Sequence, residues 1–154
     1  MVLEALSYLL KRFQPASSCA AIPPGEVHLA VVKHLVPETY VERLLVRPEL
    51  IQRSQQFHFR PFNGHHCQVP VTRGDGSLTQ EINDWLPFVG ATMRTWLEGN
   101  AGPDRVLIAV PEMGPVRGGY NLAHLPNSWE EAIRLRPLLE TLWHKLISER
   151  PTYG

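Results

Sequence analysis

Residues Phe57–Thr72 read FHFRPFNGHHCQVPVT, and they hold three histidines, an arginine, an asparagine, a cysteine and a glutamine between two short apolar runs. Phe57 and Phe59, and then Val69 and Val71, alternate with polar residues at the period of a half-buried strand. Pro61, Asn63 and Gly64 force a turn between the two runs. A strand that breaks into a polar loop is where α/β enzymes place their chemistry. A plainer reading also holds: His58 as a hydrogen-bonded core histidine, and a loop that is merely polar.

Working outward, the residues before this stretch predict a strand and two helical pieces. Val27, Leu29, Val31 and Val32 form a mostly apolar run, as expected of a parallel strand covered on both faces. Pro37 and Glu38 suit a first helical turn, and Tyr40, Val41, Leu44 and Leu45 continue it as an apolar stripe. Pro48 starts a further short turn or helix through Gln56. At the N-terminus, MVLEALSYLLKRF places Leu3, Leu6, Leu9 and Leu10 on one face of an amphipathic helix. Residues 14–25, rich in Pro, Ser and Ala, form an irregular connection.

Downstream, RGDGS at 73–77 is a strong turn signal. Ile82, Trp85, Leu86, Val89, Met93, Trp96 and Leu97 recur at helical spacing over 79–98, with Pro87 expected to kink that helix or restart it. Gly99, Asn100 and Gly102 end it. RVLIAV at 105–110 is a short β-rich run that ends in Pro111, Glu112, Met113, Gly114 and Pro115. A glycine-rich loop leads to a capping box, Ser128 with Glu131, that opens a last helix. Its stripe is Ile133, Leu135, Leu139, Leu142, Trp143 and Leu146, with a kink expected at Pro137. Helices thus alternate with strands, which argues for one α/β domain over 1–154 with a parallel sheet and right-handed crossovers. Three strands leave two raw edges, to be covered by another chain or by further sequence.

Composition narrows the function classes. The 154 residues are 44% hydrophobic and carry no formal net charge, enough to bury a core and without the cationic excess that nucleic acid or an acidic membrane surface calls for. Cys19 and Cys67 make neither a disulfide framework nor a zinc-finger spacing, so a reducing, cytoplasmic compartment is the expectation. The N-terminal apolar run is too short to span a bilayer and its charges follow it, unlike a signal peptide.

Two predicted strand ends carry chemistry, His58 and Glu112. C-terminal ends of parallel strands point the same way, so these two side chains can converge on one ion or substrate. Imidazole with carboxylate suits Mn²⁺, Zn²⁺ or Mg²⁺, the ion polarising a carbonyl while a carboxylate moves a proton. The run His65, His66, Cys67 hints at zinc, but neighbouring side chains on a strand point to opposite faces, and a substrate-facing His66 or His65 fits better.

In order, HLAVVKHLVPETYVERLL, FHFRPFNGHHCQVPV and VPEMGPVRGGY resemble the C-terminal part of sugar phosphate isomerase/epimerase proteins with a xylose isomerase-like TIM barrel, over residues 27–147. The resemblance implies a partial (β/α) barrel, its last three βα units, with a divalent metal and a sugar or sugar-phosphate substrate. By the same resemblance His58 matches a metal-ligand histidine, and Glu112 a metal-ligand and acid/base glutamate. Arg60, His34 and Gln68 match substrate-side residues. The family's ligand aspartate falls on Val31, and its remaining ligand glutamate lies on a strand upstream of this match. An apolar valine cannot hold a hard cation.

These readings set the expectations. One is a metal-dependent sugar isomerase or epimerase with little activity as this chain alone; the other is a non-catalytic half-barrel that serves as a binding module or is a gene remnant. Metal-dependent phosphoester hydrolysis would need several more ligands. Trp85, Trp96, Trp143 and the leucine stripes exceed what three strands and their helices can cover, which predicts a homo-oligomer or a poorly soluble chain.

Overall fold

A computed structural model describes residues 25–28, 36–100, 104–114 and 126–150, with backbone alone for 25–28, 43 and 44. In chain order the elements are strand β1 (Gly25–His28), a 3-10 turn (Pro37–Thr39) running into helix α1 (Tyr40–Leu44), and helix α2 (Pro48–Arg53). Strand β2 (Ser54–Phe59), helix α3 (Gln80–Gly99), strand β3 (Ile108–Pro111) and helix α4 (Ser128–Ser148) follow. The strands are parallel and lie side by side in the order β1-β2-β3. The register aligns Val27 with Phe57 and Ala109, and His28 with His58 and Val110. Among the described residues the sheet is open, and they form no closed barrel.

Alternation along β2 decides what each face of the sheet does. Phe57 and Phe59 are fully buried against the helical layer, and the edge of Trp85 meets Phe59 at a ring separation of 6.4 Å. Ile82, Trp85, Val89, Met93 and Trp96 recur every three or four residues and give α3 one buried side, against which Leu135, Leu139 and Leu146 of α4 pack. Each such side chain contributes roughly 2 kcal/mol by leaving water. Tyr40 joins the same core, its ring 5.1 Å from Phe62, and burial pushes its phenol above the ordinary value. Gln56, His58 and Arg60 alternate with these residues, so they fall on the other side of the strand.

Several sequence expectations need correction. The helix at 48 stops at Arg53, and β2 already runs from Ser54, three residues before the phenylalanines; Trp96 Nε1 donates to the Ser54 carbonyl at 2.7 Å and holds that boundary. Val69 and Val71 are buried but belong to no strand. Their backbone is held instead by Val69 N on the Pro61 carbonyl and by a lone antiparallel bridge, Thr72 with Leu78. The intervening turn is tightened by Asp75, which accepts from Ser77 N and Oγ, and by Gly76 at φ 83°, a conformation that favours glycine. α3 and α4 run unbroken through Pro87 and Pro137, both of which face solvent.

The capping box is displaced by one residue. Asn127 is the N-cap of α4, its Oδ1 accepting from Trp129 N at 2.9 Å, which frees Glu131 for a tertiary role. Trp85 and Trp96 are 1% and 2% exposed, and Trp143 packs against the core. Trp85 and Trp96 therefore add nothing to the exposed apolar surface, which lies at other residues such as Val46 and Trp129. The helix read at residues 1–13 and the 29–34 part of the first strand, with Val31 and His34, lie outside the described residues.

Candidate functional site

The chain leaves β2 at Phe59 and β3 at Pro111, and one hydrogen bond extends the ladder beyond both. Pro111 has no N–H to offer, but Glu112 N donates to the Phe59 carbonyl at 3.0 Å. That bond fixes Glu112 beside the end of β2. Its carboxylate then meets two side chains of the neighbouring strand end: Arg60 Nη2 ion-pairs with Oε1, and His58 Nδ1 lies 3.3 Å from Oε2. His58, Arg60 and Glu112 retain 18, 25 and 22% of their side-chain exposure, so the cluster is half-buried but reachable from solvent.

Gln56 completes the cluster. Its Nε2 lies 2.8 Å from His58 Nε2. The donor and acceptor in this pair follow the imidazole tautomer, and the other ring nitrogen, Nδ1, is the one that faces Glu112. Gln56, His58, Glu112 and Arg60 thus form a row of polar contacts across two strand ends, hydrogen bonds at Gln56–His58 and Arg60–Glu112 and a close approach between His58 and Glu112. The sequence reading missed Gln56, although its i, i+2 relation to His58 on a strand was the available signal.

The remaining predicted residues fall into different places. Gln68 Oε1 accepts from Gly114 N at 2.5 Å, tying the long loop after β2 to the turn after β3. It therefore frames the cluster from the side. His66 is exposed, and its backbone N–H and that of His65 both donate to Asn63 Oδ1, at 2.7 and 2.9 Å, while Asn63 N donates back to the His66 carbonyl. Asn63 thus shapes the loop tip. No contact joins His66 to the cluster among the described residues. His34 lies outside them.

A resident divalent cation requires several converging donors. Among the described residues no three His, Cys, Asp or Glu side chains converge. His58 and Glu112 do meet, but His58 Nε2 lies against the Gln56 amide, its Nδ1 against Glu112, and both Glu112 oxygens have partners. Among the described residues, two protein donors that are each already engaged do not fit a resident metal.

Glu131 is a further residue whose role the sequence concealed. It is 1% exposed, and its carboxylate accepts from Val71 N, from Thr72 N at 2.9 Å and from Thr72 Oγ1 at 2.7 Å, with Arg134 Nη1 at 3.2 Å. It pins the far end of the 57–72 stretch to α4. A groove of about 840 Å³ also opens among the helices, lined by residues including Val41, Leu86, Pro87 and Leu142. None of the strand-end cluster lines it. No helix is long and apolar enough to cross a membrane among the described residues. Comparison of the chain with protein-family models, curated proteins and solved structures returns no match.

Proposed function

We propose that this chain is a unit of a (β/α) barrel of the sugar isomerase/epimerase type. Its strand-end cluster binds a sugar or polyol but does not, in this chain alone, turn it over. The observation that supports the reading is Glu112, gathered by Arg60 and His58 from the neighbouring strand end. Sequential parallel strands joined through helices are the arrangement such a barrel repeats, and its ligands sit where the strands end.

The chemistry of the cluster selects the ligand. Guanidinium, amide, imidazole and carboxylate together offer both donors and acceptors, which matches hydroxyl groups that both give and take hydrogen bonds. Arg60's charge is already balanced by Glu112, so the cluster suits a neutral sugar better than a sugar phosphate. Catalysis would require a carboxylate free to take a proton from carbon. Glu112 has both oxygens engaged and must first release a partner, and the one imidazole beside it, His58, is itself held between Glu112 and Gln56.

Titration calorimetry with aldoses, ketoses and their phosphates tests this. The expected result is saturable binding of at least one neutral sugar, weakened about tenfold or more by Arg60→Ala, with its phosphate bound no tighter and with no isomerised product. Turnover of any of them that Glu112→Gln abolishes would overturn the non-catalytic part; absence of any sugar binding would overturn the whole reading.

A further inference from the structure

The outward flank of α4 carries a pattern that reads the same in both directions. Trp129, Ile133, Arg136, Glu140 and Ile147 follow one another at spacings of four, three, four and seven, which places them on one stripe of the helix. Trp129 is 73% exposed, Ile133 57% and Ile147 41%, so this stripe is apart from the side that buries Leu135, Leu139 and Leu146. Arg136 and Glu140 pair along the helix at 2.7 Å and are themselves open to solvent. Trp143 borders the stripe and is half-buried against Trp96.

Position 138 is the centre of the pattern. Trp129 and Ile147 lie nine residues on either side of it, Ile133 and Trp143 five, and Arg136 and Glu140 two. A second α4 laid antiparallel across this point would set Trp129 against the copy's Ile147, Ile133 against its Trp143, and Arg136 against its Glu140. Apolar meets apolar and positive meets negative at every step. A two-fold interface demands this kind of self-complementarity, because each residue meets the counterpart of its own partner.

We propose that the chain forms a two-fold dimer through antiparallel pairing of α4 with α4 of a second copy, centred near position 138. The occupant is a second copy, because the stripe's order of charge and apolar groups is complementary to itself when reversed. The chain has no formal net charge, so no long-range repulsion opposes the approach. Pairing turns the solvent-exposed Arg136–Glu140 contact, which by itself contributes little, into a four-charge network flanked by apolar contacts.

Sedimentation velocity of the full chain over a range of concentrations, with three variants, decides the matter. Arg136→Glu and Glu140→Arg each set like charges against one another across the dyad, and each is expected to weaken the dimer about tenfold or more. The double exchange, R136E with E140R, restores opposite charges at both crossings and is expected to return dimerisation to within about threefold of the parent. Both substituted positions are exposed, and unchanged circular dichroism of the three variants would show that the fold is intact. A parent chain that stays monomeric, or one that forms only polydisperse aggregates, overturns the proposal. So does a dimer indifferent to both reversals, which would have to form elsewhere, for instance along the open edge of β3, or a double exchange that fails to recover.

Discussion

Glu131 and Glu112 show how much a carboxylate's neighbours decide. Glu131 is sealed from water, and a charge in that position is tolerated only because two backbone N–H groups, a hydroxyl and a guanidinium supply what water no longer does. Replacing one oxygen by an amide group, in Glu131→Gln, turns a donor toward donors. The expected loss of folding stability is about 3 kcal/mol in urea denaturation, against less than about 0.5 kcal/mol for the exposed neighbour Glu130→Gln. Glu112 is half-exposed and sits at a strand end. The alternation of residues 56–60 and the Pro-Glu-x-Gly turn made His58, Arg60 and Glu112 legible as neighbours. Glu131 was concealed because Asn127 and Ser128 are both acceptable caps, and the choice between them shifts every later position of the helix by one.

At the scale of elements, helix α3 shows periodicity and stop signals agreeing: the expected 79–98 is Gln80–Gly99, capped by Thr79 and Asn100, whereas the tertiary bonds that hold its end were not readable. Its apolar spacing identified the buried side correctly. Its end depends on tertiary contacts: Asn100 Nδ2 donates to the carbonyls of Gln52 and Trp96 and its Oδ1 accepts from Arg105, joining α2, α3 and the approach to β3. Gly99 lies where α2 passes closest, and a Cβ there would stand 2.5 Å from Gln52 Cγ and 2.6 Å from its Cβ. Gly90 lies mid-helix, where a Cβ would meet only Leu142 methyls at 3.6 and 3.8 Å. The two glycines should therefore respond oppositely to alanine. Gly90→Ala is expected to raise stability by about 0.5–1 kcal/mol through helix propensity, and Gly99→Ala to lower it by about 1–3 kcal/mol through overpacking. Thermal denaturation of both variants checks the pair.

For the whole molecule, the class was legible because apolar runs and helical stripes alternate, and a parallel sheet is what such an order builds. The fate of the large aromatic residues was not. Trp85 and Trp96 looked surplus to a three-strand unit, yet α3 buries both between β2 and α4, whereas Leu45, Val106, Ile108 and Ile133, all read into apolar runs or stripes, are exposed along with Val46 and Trp129. The proposed function places ligand recognition at the strand ends and not in the groove among the helices. Amide chemical shifts of the ¹⁵N-labelled chain, followed while the neutral sugar that gives saturable heat is added, test it most directly. Shifts should concentrate at Arg60, Gln68, Glu112 and Gly114 and be lost in Arg60→Ala. Shifts concentrated instead at Val41, Leu86, Gly90 and Leu142 would place binding in the helical groove and overturn the strand-end assignment.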